Sequence, residues 1–339
     1  MKTLIIFGGT GFIGMHYAAI VLQNESETQI IAADIKSFAG PFYERVLRAF
    51  VSAGRLRWVS CDVRQTISLD VVGSKGDLIA NFAAIHREPG HEENEYYDTN
   101  LPGARNVCEF ASRVGCKEIV FTSSISPYGP TEETKHEQSP LTPETPYGKS
   151  KKQAEEIHRA WVAAEPGRKL LIVRPGVVFG EGEGGNVTRL VRAVSKRYFV
   201  YMGNQGVRKA GGYVKELCNV IQFAREKLAA SSDPTLTVNF GMYPTKTLKE
   251  FVDAIRAANG QRGIIPSVPR WAIMSAAVVA ERLGKLVGKQ VGLSPKRVRK
   301  LYRSTNIEAR WLHENGYPYR YSIEEAFKDW KKDRPEDFR

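Results

Sequence analysis

The stretch Thr3-Leu4-Ile5-Ile6-Phe7-Gly8-Gly9-Thr10-Gly11-Phe12-Ile13-Gly14 decides the fold. Its first residues are apolar or β-branched and end on two glycines, the pattern of a short strand buried on both faces of a parallel sheet. The glycines then let the chain turn sharply and bring its backbone close to a pyrophosphate, while Gly14 lets the following helix pack on the strand. A helix starting there offers unpaired N–H groups and the positive end of its dipole to an anion. Gly8, Thr10, Gly11, Phe12, Ile13 and Gly14 are therefore predicted to line a dinucleotide.

About twenty residues on, Asp34 closes the next apolar run, where a carboxylate accepts hydrogen bonds from the adenosine ribose and repels a 2′-phosphate. NAD is the expected cofactor. Lys36, two positions later, is a cation that suits NADP as well.

Similar apolar runs recur at 29–33, 56–59, 78–82, 118–122, 170–173 and 236–240, each separated by a segment long enough for a helix. Strands alternating with helices imply βαβ units. The expected class is α/β, a Rossmann-type doubly wound parallel sheet with helices on both faces. Residues 1–180 are read as the dinucleotide-binding domain. Residues 181–339 are read as a smaller, mostly helical substrate lobe from which one strand, at about 235–240, returns to the sheet. The glycine-rich loop 180–185 leads into a helix at Asn186–Ser195; segments 271–287 and 323–330 read as helices, and 294–303 is strongly basic.

The chain has 339 residues, 42% hydrophobic and 25% charged, as in an ordinary soluble globular protein. Its net charge of +12, from 49 Lys and Arg against 37 Asp and Glu, suits an anionic partner without saying which. No interleaved aromatic and basic motif supports nucleic acid. Cys61, Cys108, Cys116 and Cys218 lie far apart, with no CxxC pair and no histidine at ligand spacing, so neither disulfides nor a metal site is expected. A reducing cytoplasm fits this usage. The apolar N-terminal stretch is too short for a signal peptide or a membrane span.

Tyr147 and Lys151 stand four residues apart in Pro146-Tyr147-Gly148-Lys149-Ser150-Lys151, so on a helix they share a face. A phenol is a poor base at neutral pH, and a neighbouring ammonium stabilises its phenolate. Thr122-Ser123-Ser124 ends a strand, where parallel-sheet enzymes expose ligand-binding groups. In order, the glycine turn, Asp34, Asp62-Val63, Asn81-Phe82-Ala83-Ala84, Asn100, Ser124, Tyr147 and Lys151 resemble the extended short-chain dehydrogenase/reductase family, its NAD-dependent epimerase/dehydratase group. The resemblance spans about residues 1–260.

That resemblance implies that Asp62 and Val63 flank the adenine, that Ala83 and Ala84 line the dinucleotide, and that Asn100 joins Ser124, Tyr147 and Lys151 in the site. Ser124 would hold the reacting oxygen, Tyr147 would move its proton, and Lys151 would also bind the nicotinamide ribose. The group's 4,6-dehydratases resemble one another in an Asp-Glu pair after the catalytic Ser or Thr, and its 3,5-epimerising reductases in a Cys. Here Ile125-Ser126 takes that place, leaving hydride transfer at one carbon. Asn186 resembles the family residue that binds the diphosphate of a nucleotide sugar, and Lys209 stands where many members have an arginine. His86 and Ser126 are further candidate substrate contacts, and His86 and Arg87 each read equally well as a contact or as part of a surface loop.

The expected activity is C4 epimerisation or 4-keto reduction of a nucleotide-activated sugar, as in polysaccharide biosynthesis, by a homodimer formed through the helices bearing Asn100 and Tyr147. Two alternatives stand beside it. One is a 3β-hydroxysteroid-dehydrogenase-like oxidoreductase acting on a hydrophobic alcohol. The other is a non-catalytic NAD(P)-sensing protein, which would have no need to keep Ser124, Tyr147 and Lys151 together.

Overall fold

A computed structural model describes residues 2–86, 90–202, 204–269, 272, 275 and 304–339. The stretches expected as a helix at 271–287 and a basic segment at 294–303 lie outside the described residues but for 272 and 275, and so does Arg87.

Seven strands form one parallel sheet. They are β1 (Lys2–Phe7), β2 (Thr28–Asp34), β3 (Leu56–Ser60), β4 (Leu78–Asn81), β5 (Glu118–Thr122), β7 (Lys169–Pro175) and β11 (Thr235–Phe240), with β6 (Thr131–Lys135) outside the sheet. Their spatial order is β11-β7-β5-β4-β1-β2-β3, so the winding reverses between β1 and β4. In such a sheet the crevice beyond the carboxyl ends of the strands, at that reversal, is where ligands collect.

Alternation along β1 divides the core in two. Leu4 and Ile6 point to one face, where α1 (Phe12–Asn24) and α7 (Val214–Ala230) bury Tyr17, Leu22, Leu217 and Ile221. Ile5 and Phe7 point to the other, where α4 (Glu93–Arg113) and α5 (Pro146–Ala163) bury Val107, Phe110, Ala154 and Trp161. Both faces being covered explains why the strands read as apolar runs rather than as alternating patterns. The helical part of the crossover from β2 to β3 is short, a π-helical turn at Tyr43–Leu47 followed by α2 (Arg48–Ser52), and α3 (Leu69–Val72) is a single turn.

Beyond β7 the chain alternates between sheet and lobe. β8 (Val177–Phe179) pairs with β10 (Gly211–Tyr213), and between them come α6 (Asn186–Ser195) and β9 (Tyr201–Met202). β11 then pairs with β7 along its whole length, from Thr235 opposite Leu170 to Phe240 opposite Pro175. After α8 (Leu248–Ala258), β12 (Ser267–Val268) pairs with β9, and β13 (Thr305–Ile307) with β6. A third core gathers Phe179, Tyr213 and Phe251 with Phe327 and Trp330 of the helix Ile323–Asp333; the Phe179 and Phe327 rings stack 4.8 Å apart.

Ion pairs lash this lobe down. Lys215 Nζ donates to Asp329 and Asp333 at 2.7 Å each, and Arg45 pairs with the buried Glu181. Glu216, buried on α7, accepts from the Tyr317 hydroxyl and from the Arg320 and Tyr321 N–H groups. Burial nonetheless pushes its carboxyl above the usual range.

Candidate active site

The glycine turn is built by steric necessity. Gly8 has φ +76°, a left-handed conformation that favours glycine, and a Cβ there would lie 2.7 Å from Ala83 N. A Cβ on Gly14 would lie 2.3 Å from Gly8 O, so this glycine lets α1 start against the strand end. Gly11 differs: a Cβ there would meet only Gly8 O, at 3.2 Å, and its φ of −71° is ordinary. Protein packing gives far less reason for a glycine at that position, whereas close approach of a phosphate to the backbone gives one. No side chain caps α1 and no acid occupies its first turn, so its N-terminal N–H groups and dipole suit an anion.

Asp34 leans back over this turn. Its Oδ2 accepts from Thr10 N at 3.2 Å and its Oδ1 from Lys36 N at 3.4 Å, while Thr10 Oγ1 donates to Lys36 O at 3.0 Å. Acid, turn and lysine thus form one small cluster at the end of β2. Phe12 is half-buried with its ring 5.4 Å from that of His16, and Ile13 packs on the core of α1. The residues present fit a dinucleotide at this crevice.

Asp62 pairs with Arg64, which holds its carboxyl below the usual carboxylate range. Val63 is buried against α4, where a Cβ on Gly103 would come 3.1 Å from Val63 Cγ2. Ala83 and Ala84 are half-buried directly beyond β4. Asn100 is committed to structure. Its Oδ1 accepts from Ile85 N at 2.9 Å, and its Nδ2 donates to Ile85 O at 3.2 Å and Ser150 Oγ at 2.9 Å, which ties the loop after β4 to both α4 and α5.

Lys151 lies at the centre of the candidate site. Its face of α5 carries Tyr147, Ser150, Lys151, Ala154, Glu155 and His158 at helical spacing, most of it buried. The ammonium donates to Thr122 O at 2.7 Å, at the end of β5, and stands 4.5 Å above the Phe121 ring. Burial pulls its pKa down from 10.5 to about 7, opposed by the charge of Glu155. Tyr147, one turn towards the helix start, is half-buried with its ring 6.0 Å from that of Tyr96 on α4. Ser124 Oγ, just past Thr122, donates to Ser126 Oγ at 3.1 Å and accepts from Ser126 N at 3.1 Å. The buried Thr122 Oγ1 has no hydrogen bond among the described residues, an unsatisfied polar atom in the strand end that holds Lys151.

By sequence alone Lys152, Glu155, Glu156 and Arg159 look like ordinary exposed helix residues, yet Glu155 is 2% exposed. Arg174 of β7 grips it with Nε and NH2, at 2.8 and 2.6 Å, and Ser123 Oγ donates to it at 2.6 Å. Arg174 also donates to the Tyr128 hydroxyl at 2.7 Å, which donates to Asn239 on β11. Arg159 is partly buried and donates to Thr237 of β11. The signal was present: Glu155 lies four residues after Lys151, on the same helix face.

The expected substrate residues lie on separate elements. His86 is exposed past β4, Asn186 is exposed at the first position of α6, and Ser126 opens a short 3-10 turn. Lys209 is half-buried next to β10; burial draws its pKa down to about 8, against the pull of Glu132. Among the described residues no group of His, Cys, Asp and Glu could hold a metal ion, and all four cysteines are buried and free. No helix among them is long and apolar enough to cross a membrane.

The profile of the NAD dependent epimerase/dehydratase family matches residues 4–241, which include the glycine turn, Ser124, Tyr147 and Lys151. The chain belongs to that family. It is 29% identical over 329 residues to the N-acetyl-alpha-D-glucosaminyl-diphospho-ditrans,octacis-undecaprenol 4-epimerase of Escherichia coli O157:H7, covering 95% of this chain and 92% of that protein. UDP-glucose 4-epimerase GEPI48 of Cyamopsis tetragonoloba is 29% identical, covering 98% of this chain and 96% of its own. Among solved structures, UDP-glucuronic acid 4-epimerase from Bacillus cereus in complex with NAD superposes over 100% of both chains with a TM-score of 0.75, at 14% identity. The UDP-glucose 4-epimerase of Thermotoga maritima with UDP-glucose also covers 100% of both, with a TM-score of 0.73 at 18% identity. These two share the fold.

Proposed function

We propose that the chain is an NAD-dependent C4 epimerase of a diphosphate-activated sugar. The observation that carries the choice of reaction is Ile125, buried against Tyr128, Ala210 and Ile307 where dehydration or carbanion chemistry would need an acid or base. Similarity to 4-epimerases along nearly the whole chain supports inversion over reduction.

In this reading residues 1–180 hold the cofactor, and residues 181–339 hold the substrate apart from the strand near 235–240. Gly8, Thr10, Gly11, Phe12, Ile13 and Gly14 cradle the pyrophosphate, Asp34 and Lys36 meet the adenosine ribose, and Asp62 and Val63 flank the adenine. Ala83 and Ala84 line the dinucleotide, and Asn100 acts through Ile85 and Ser150. When bound by these residues, NAD would supply reversible hydride transfer at C4. Ser124 orients the reacting oxygen. Tyr147 takes the C4 hydroxyl proton, gives it back after inversion, and relies on the Lys151 ammonium to stabilise its phenolate. Asn186 and Lys209 bind the diphosphate, with His86 and Ser126 on the sugar.

These contacts do not read what lies beyond the diphosphate. The Escherichia coli relative, named for a substrate that carries undecaprenol there, favours a second reading in which a polyprenol replaces the nucleoside. A homodimer pairing α4 and α5 into a four-helix bundle, working in the cytoplasm, completes the proposal.

The test is to incubate the purified protein with UDP-glucose, UDP-N-acetylglucosamine and polyprenyl-diphosphate N-acetylglucosamine, following products by NMR and mass. Epimerisation gives a new C4 stereocentre at unchanged mass without added NADH. Conversion only with stoichiometric NAD(P)H, or none on any donor, overturns it.

A further inference from the structure

At the end of α6 furthest from Asn186 the chain runs Lys196-Arg197-Tyr198-Phe199-Val200 into β9. Beside it, Gly260-Gln261-Arg262-Gly263-Ile264-Ile265-Pro266 leads into β12. The two loops are held side by side by the pairing of β9 with β12, by Gln261 Nε2 donating to Ser195 O at 2.7 Å, and by Asn259 Nδ2 donating to Ser195 Oγ at 2.6 Å. Arg197, Phe199, Arg262, Ile264 and Ile265 line a shallow hollow of about 180 Å³ between them.

The tips of these loops are unusual for a water-facing surface. Ile264 is 97% exposed and Tyr198 is 63% exposed, although isoleucine is among the residues most often buried. Lys196, Arg197 and Arg262 are exposed around them, and neither loop contains Asp or Glu. Arg197 ends α6 at φ 61°, where glycine or asparagine would sit with less strain. The chain keeps a long cation there at a backbone cost. A hollow so small and open does not enclose a small molecule.

Cations surrounding a projecting apolar and an aromatic side chain complement an anionic bilayer: the apolar tip enters the acyl boundary, the aromatic sits at headgroup level, and the cations meet phosphates.

We propose that loops 196–200 and 260–266 form a docking face for the surface of an anionic lipid bilayer. This does not depend on which reaction the site performs. It bears on the lipid-carried donor, because α6 would then span about 15 Å from the docked face to Asn186.

The test is sedimentation of the full chain with vesicles of phosphatidylcholine alone or with phosphatidylglycerol added, without substrate. Wild type is expected to bind the anionic vesicles, more weakly at high salt, and to ignore neutral ones. Each cation contributes about fivefold, so Arg197→Glu with Arg262→Glu loses more than twentyfold. Tyr198→Ser with Ile264→Ser loses about tenfold or more, and both double variants keep the wild-type melting temperature and NAD binding. Wild type that stays in the supernatant, equal binding to neutral vesicles, or either double variant binding as wild type would overturn the proposal.

Discussion

The two ends of the site are made in opposite ways. At the glycine turn, backbone meets backbone and what matters is the absence of side chains: Gly8 and Gly14 stand where a Cβ would strike Ala83 N or Gly8 O. Around Lys151 what matters is side chains, since the buried ammonium donates to the carbonyl of Thr122 while a carboxylate of α5 and a guanidinium of β7 satisfy each other. The first kind of site is rigid because nothing else fits. The second is rigid because each polar group is costly to leave alone.

Breaking the polar end should produce the largest effect. Arg174→Met leaves Glu155 buried without its cation, which costs roughly 3–5 kcal/mol. Urea unfolding measures it, and Arg174→Met with Glu155→Gln should recover much of the loss; a variant as stable as wild type would show that the pair does not hold α5 to β7. Tyr147→Phe separates chemistry from architecture, with turnover falling roughly 10²–10⁴-fold while the melting temperature stays put. Unchanged turnover would remove Tyr147 from the mechanism.

The glycine end is sharpened by a matched pair. Gly14→Ala should lower stability by about 1–3 kcal/mol, because the new methyl meets backbone. Gly11→Ala should leave stability within about 0.5 kcal/mol, yet weaken NAD binding in calorimetry by about tenfold, roughly 1.4 kcal/mol. Equal affinity of Gly11→Ala and wild type would mean that no phosphate approaches that backbone.

A subtler difference is in the pH dependence. Lys151 is protonated up to about 10.5 in the unfolded chain but only to about 7 in the folded one. Between those values the unfolded state binds more protons, so stability rises with pH, and below pH 7 the whole penalty of burying the ammonium remains. Denaturant unfolding at pH 6.5 and 9 should therefore show wild type gaining on Lys151→Met. Parallel behaviour of the two would place the lysine's proton elsewhere.

How much of this could be read from sequence follows the same division. The glycine turn, Asp34 and the six further strands are local patterns, and each strand falls within two residues of its expected position because apolar runs and glycines act over short distances. Tyr147 and Lys151 were legible by helical spacing. Glu155 was not, because its partner Arg174 comes from a strand nineteen residues away and a charged residue read alone looks solvated. Family resemblance alone puts Asn100 among the candidate site residues, and its commitment to Ile85 and Ser150 depends on three segments meeting. The lobe was least legible: β9, β12 and β13 are two or three residues long, too short to carry a period, and their partners are distant in sequence.

The pairing of β7 with β11 has a consequence in time. β7 is apolar from Leu170 to Val173 and buried from Leu170 onward in the finished sheet, yet the strand that covers its outer edge emerges roughly sixty residues later. At about 5–20 residues per second, a ribosome would leave that edge without its partner for roughly 3–12 s. An open apolar edge is a template for pairing with another chain. Nascent chains released between residues 175 and 235 should therefore need a chaperone or aggregate, while chains extended past Phe240 close their own sheet.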